Sequence, residues 1–260
     1  MRLFFAFWIA LILLGAARAD VVGLEVDYEY DGQQFHGYLA YDVANNSIRP
    51  GVLVIHEWWG MNDYARRRAE ELAELGFIAF ACDMYGAGRI AESADSAALL
   101  AKPLYENREL MRERAAAGLW NLKNFSLCDK SRLLAIGYCF GGTCALELAR
   151  SGAELTAVVS FHGGLNTPHP EDAKNIKARL LVCNGADDPH VPDEEIAAFK
   201  QEMRDAKVDY QLIHYGGAVH AFTNPAAGDD PSKGVAYNEK ADKRSWELMR
   251  TFFREALIDN

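Results

Sequence analysis

Ala135-Ile136-Gly137-Tyr138-Cys139-Phe140-Gly141-Gly142-Thr143-Cys144-Ala145-Leu146 is the stretch around which the rest of the chain is organised. The short run Arg132 to Ile136 leading into it is apolar and suits a buried strand, while Ala145 to Arg150 after it reads as a helix. The turn between them falls on Cys139. Gly-x-Cys-x-Gly has the spacing of a nucleophile elbow, usually written with Ser, in which a strand turns sharply into a helix and lifts the central side chain out of the sheet. Gly137 and Gly141 suit that geometry, because a side chain at either position would clash where strand and helix approach. Cys139 then sits at a helix N-terminus, where free N–H groups and the helix dipole favour thiolate over thiol. The competing reading is a glycine-rich turn that holds a buried, inert cysteine.

Outward from this turn, strands alternate with helices. Val52 to Ile55, Phe77 to Ala81, Ala157 to Phe161, Ala178 to Cys183 and Tyr210 to Tyr215 read as strands. Helices are expected at Asn62 to Leu75, Ala91 to Lys123 with a break near Pro103, Asp193 to Asp205, and Val235 to Ile258. Ahead of them, Val21 to Tyr30 and Phe35 to Tyr41 alternate around Asp31-Gly32 and predict an antiparallel hairpin at a sheet edge. The fold class is therefore α/β, a mostly parallel sheet wrapped on both faces, in one domain over residues 20–260.

Composition bounds the function. Half of the 260 residues are hydrophobic, enough for a sizeable core without metal or disulfide staples. A formal charge of −10 argues against nucleic acid and anionic membrane as partners. Met1 to Ala19 reads as a secretory signal: a basic start at Arg2, an apolar run from Leu3 to Leu14, and Ala17-Arg18-Ala19 as the cleavage site. The apolar run falls short of the ~20 residues needed to span a bilayer, so a periplasmic or secreted protein is expected. Cys82, Cys128, Cys139, Cys144 and Cys183 cannot all pair within one chain, which flags a free thiol, and one or two disulfides among the other four stay open. No spacing among them suggests a metal site.

In a parallel sheet the C-terminal strand ends share one edge, so the loops carrying Glu57, Cys139, Asp188 and His220 open on the same side. Nucleophile, acid, histidine is the chain order of the α/β-hydrolase triad. His220 follows the last strand in Gly216-Gly217-Ala218-Val219-His220, whereas His36 lies in the hairpin and His214 within a strand. Asp188 is better placed than Asp187, three residues after Gly185 and three before Val191.

With these segments in view, the chain resembles the dienelactone hydrolase family, cysteine-nucleophile members of the α/β-hydrolase fold. The resemblance runs through Glu57-Trp58-Trp59-Gly60, Cys82-Asp83-Met84-Tyr85-Gly86, Gly137 to Gly142, Gly185 to Pro192, and Val219-His220-Ala221-Phe222. It implies a hydrolase of carboxylic esters or lactones that uses neither metal nor organic cofactor. It also implies roles: Cys139 attacks the carbonyl, His220 shuttles the proton, and Asp188 orients the imidazole. The backbone N–H groups of Trp58 and Phe140 would receive the oxyanion. Glu57 corresponds to the family's glutamate beside the thiol, proposed to interact with the resting sulfur and help control its deprotonation. Trp58, Trp59, Tyr85, His162 and Phe222 are expected to line an aromatic substrate pocket.

One departure stands out. The family's dienelactone enzymes place an arginine after each of two of these segments to bind a substrate carboxylate, and Ala87 and Asn224 occupy those positions, with Arg89 the only substitute nearby. An uncharged ester, lactone or thioester is the expected substrate. The alternative, from a different class, is a non-catalytic ligand-binding protein on a hydrolase scaffold. Monomer and dimer are both compatible with the sequence.

Overall fold

The computed structural model describes residues 19–258, so the leader expected at Met1 to Ala19 lies, except for Ala19, outside the described residues. Eight strands form one sheet: β1 (Val21–Tyr30), β2 (Gln33–Asp42), β3 (Arg49–Ile55), β4 (Ile78–Cys82), β5 (Cys128–Tyr138), β6 (Ala157–Phe161), β7 (Arg179–Gly185) and β8 (Tyr210–Tyr215). Their spatial order is β1-β2-β4-β3-β5-β6-β7-β8. β1 pairs antiparallel with β2 and β2 antiparallel with β4, and every pairing from β4 through β8 is parallel. The edge hairpin turns on Asp31 and Gly32, both at positive φ, as an Asp-Gly two-residue turn requires.

Among the described residues six α-helices cover the sheet: α1 (Asp63–Glu74), α2 (Ala94–Glu106), α3 (Arg108–Asn124), α4 (Phe140–Arg150), α5 (Asp193–Ala206) and α6 (Glu239–Ile258). Period-2 alternation along β3 decides the layers. Leu53 and Ile55 enter a core with Phe80, Met111 and Leu146, while Val52 and Val54 enter a second core with Leu72, Ile136 and Phe253. Each such fully buried side chain contributes roughly 1.5–3 kcal/mol.

The sequence placed two helix boundaries wrongly. The break in the long helical region comes at Asn107, not at Pro103, which lies inside α2. Asn107 is extended, and its side chain accepts from Leu110 N–H to cap α3. The carbonyl that Pro103 leaves without its helical donor belongs to solvent-exposed Leu99, where water can reach it. The last helix begins at Glu239, not Val235, because Val235 forms an isolated parallel bridge with His220.

Candidate active site

The elbow is built as its glycines demand. A Cβ on Gly137 would lie 1.9 Å from the Gly141 carbonyl oxygen, and one on Gly141 would lie 2.2 Å from that of Ile55. Cys139 takes φ 52°, ψ −117°, a strained conformation for a residue with a side chain. That backbone places the partly exposed thiol at the first turn of α4 and at the wall of a cavity of about 1270 Å³.

His220 is carried by the loop after β8. Its Nε2 lies 3.1 Å from Cys139 Sγ and its Nδ1 lies 2.9 Å from Asp188 Oδ2. The loop is braced from behind: His220 N–H donates to the Gly234 carbonyl, and Ala236 N–H donates to the His220 carbonyl. Asp188 is fixed by His190 N–H, which donates to its Oδ1 at 2.8 Å. Burial opposes a charge on His220, but Cys139 and Asp188 outweigh it and raise the imidazole to about 10. Both neighbours thus favour the protonated over the neutral imidazole.

Trp58 N–H and Phe140 N–H have no acceptor among the described residues. The peptide carrying the first is oriented by His56, whose Nε2 accepts from Met84 N–H, leaving Nδ1–H to donate to the Glu57 carbonyl at 2.5 Å. Since carbonyl and N–H of a trans peptide point oppositely, holding Glu57 O aims Trp58 N–H. Neither the Glu-Trp-Trp motif nor its spacing had marked His56 for this task.

Glu57 lines the cavity but makes its short bond elsewhere: Asn224 Nδ2 donates to its Oε2 at 2.6 Å. The resting sulfur is paired with His220. Burial without a cationic partner in contact pushes the Glu57 carboxyl up to about 7, against smaller opposing effects of Asn224, His220 and Arg68. Asn224, noticed in the sequence only as a missing arginine, is itself a partner of the site.

Of the residues expected to line the pocket, Trp58 and Trp59 do so, as does His190, together with Tyr64, Tyr105 and Val191, which the sequence does not single out for it. Tyr85, His162 and Phe222 are corrections: all three are fully buried behind the cavity wall. Tyr85 O–H donates to the Trp58 carbonyl, and Phe222 packs edge-on against His162. Asp83, in the same motif as Tyr85, accepts from the N–H groups of Tyr85, Gly86 and Gly88 and so shapes that loop. Arg89 is no substitute arginine for a substrate, since it donates to the Gly86 and Tyr85 carbonyls. All five cysteines are free, and every one but Cys139 is buried. No group of three or more His, Cys, Asp or Glu among the described residues is placed to hold a metal ion.

The family model described as "Dienelactone hydrolase family" matches residues 35–257. The chain belongs to the dienelactone hydrolase family. A protein of Aquifex aeolicus whose name proposes a carboxymethylenebutenolidase is 30% identical over 241 residues, covering 91% of this chain and all of the relative. Among solved structures, m3DLH is 44% identical with a TM-score of 0.88, over 91% of this chain and 98% of that one. A dienelactone hydrolase-like promiscuous phosphotriesterase, P91 from metagenomic libraries, is 42% identical with a TM-score of 0.86 and the same coverage. As a member of this family the protein is a carboxylic ester hydrolase.

Proposed function

We propose that the protein is exported and hydrolyses uncharged carboxylic esters or lactones through an acyl-enzyme on Cys139. The observation that carries this reading is the continuous relay Asp188 Oδ2, His220 Nδ1, His220 Nε2, Cys139 Sγ at 2.9 and 3.1 Å on the wall of the cavity. The thiolate attacks the carbonyl carbon, and the tetrahedral oxyanion is received by the N–H groups of Trp58 and Phe140. Collapse of the intermediate breaks the ester C–O bond, and the imidazolium of His220 gives its proton to the departing alkoxide. Neutral His220 then takes a proton from water, whose hydroxide attacks the thioester. The sulfur leaves as thiolate, the acid is released, and the resting ion pair returns.

The uncharged substrate follows from the cavity wall. Arg67 is its only Lys or Arg side chain among the described residues, and Arg67 packs over the Tyr64 ring and pairs with Glu71. Glu57, Asp63 and Glu70 face the same space. A phosphotriester, the substrate class for which the related phosphotriesterase P91 is named, is likewise uncharged. Export rests on the Met1 to Ala19 leader pattern.

Kinetics of Cys139→Ala, His220→Ala and Asp188→Ala on a neutral aryl ester test the triad. All three are expected to stay folded and to lose at least about 10³-fold in kcat/KM. A loss confined to Cys139→Ala would contradict the relay.

A further inference from the structure

We propose that His162 is a positioning residue, a strut that holds the nucleophile turn and the histidine loop at their reacting separation. The proposal rests on the reading of Cys139 and His220 as nucleophile and base.

His162 directly follows the last residue of β6 and is fully buried. Its bonds fix its tautomer. Cys139 N–H donates to Nδ1 at 3.1 Å, and a backbone amide can only donate, so the ring proton is on Nε2. Nε2–H then donates to Thr223 Oγ1 at 2.7 Å. That leaves the Thr223 hydroxyl to donate to Tyr64 Oη at 2.6 Å. The far end is anchored by Arg68, which donates to the Thr223 carbonyl at 2.9 Å and to Asp242 on α6 at 2.6 Å. One unbroken chain of bonds thus runs from the nucleophile's own amide, through His162, to a threonine three residues beyond His220. Cys139 N–H also reaches the Phe161 carbonyl at 3.0 Å, but only the imidazole carries the connection to the histidine loop.

The backbone supplies a second observation. Six described non-glycine residues have positive φ, and three of them, Cys139, His162 and Ala221, belong to the nucleophile turn, the strut and the histidine loop. Such strain persists only where surrounding contacts over-determine it. The His162 ring also stands edge-on to His220 at 5.4 Å and to Phe222 at 5.2 Å, limiting the swing of the catalytic imidazole. Burial holds His162 well below the ordinary histidine range, so the ring stays neutral and the direction of every bond in the chain is preserved.

The test uses His162→Phe, which keeps a ring but loses both bonds, and Thr223→Val, which cuts the strut at its far end. For p-nitrophenyl acetate, kcat is expected to fall about 10- to 100-fold in His162→Phe, with KM within about twofold of wild type. Thr223→Val is expected to lose kcat in the same way, and the double variant to lose no more than His162→Phe alone. Alkylation of Cys139 by iodoacetamide slows in parallel, because the thiolate loses its fixed imidazolium. The strut is overturned if Thr223→Val keeps kcat within twofold of wild type, if the loss appears in KM, or if the two effects multiply in the double variant. Should His162→Phe fail to fold, Thr223→Val decides on kcat and alkylation rate alone. Turnover retained in Cys139→Ala would defeat the underlying reading of the triad, a result separate from failure of the strut.

Discussion

At the residue scale, Glu57 shows what burial does to a carboxyl. With Asn224 as its hydrogen-bond partner and no cation in contact, a buried carboxyl that would ordinarily ionise near 4.5 is pushed up to about 7. The folded protein therefore holds a proton between those values that the unfolded chain has already released. Stability must fall as pH rises from about 4.5 to about 7 and stay level above that, as far as this group is concerned. Glu57→Gln keeps an acceptor for Asn224 and removes the buried charge. We expect it to be more stable than wild type at pH 8 by up to roughly 3 kcal/mol and equal to it near pH 4, measured by urea unfolding at both pH values. Equal stability at pH 8 would show that the carboxylate is compensated. The sequence could point to Cys139, Asp188 and His220, because spacing and chain order carry chemistry, and to Glu57 through the resemblance. It could not separate Trp59, which faces the cavity, from Tyr85, His162 and Phe222, which lie behind it, because the side of a loop on which a ring falls depends on φ values such as the 41° of His162.

At the element scale, α4 is held by charge as well as by its apolar face. Glu147 is wholly buried and accepts from Arg112 of α3 at 2.9 Å and from Arg150 at 3.1 Å. Arg150 in turn donates to both oxygens of Glu202 on α5, at 2.7 and 2.9 Å, and to the Leu165 carbonyl. Since α4 carries Cys139, the proposed nucleophile, at its first turn, this network fixes the far end of the element that aims it. Glu147→Ala would leave two guanidinium groups short of their shared partner, a change that costs about 3–5 kcal/mol at buried sites. We expect a loss of that size in denaturant unfolding; less than about 1 kcal/mol would mean that water replaces the carboxylate. Strands such as β6 were legible because buried parallel strands are continuous apolar runs, and the edge strand β8, only partly buried, also has the bounds read from sequence. The break at Asn107 and the start of α6 at Glu239 were not, because one depends on a side-chain cap and the other on the pairing of Val235 with His220.

At the scale of the whole molecule, the parallel pairings from β4 to β8 do the functional work, since they bring residues 57, 139, 188 and 220 to one sheet edge. The order of elements was readable from alternating strand and helix patterns. The cavity was not, because its size and its shortage of cations emerge only when loops far apart in sequence face one another. The protein is acidic as a whole, and the carboxylates of Glu57, Asp63 and Glu70 extend that character to the cavity wall. Function at this scale reduces to whether the sulfur at that edge becomes acylated. The most direct measurement mixes the reduced protein with p-nitrophenyl acetate and follows nitrophenolate release together with intact mass. We expect a burst of product, a mass increase of one acetyl group, and its location on Cys139, with no such adduct in Cys139→Ala. A folded protein with a free Cys139 thiol that gives neither adduct nor turnover, or that turns the ester over equally well as Cys139→Ala, would contradict the acyl-enzyme on Cys139.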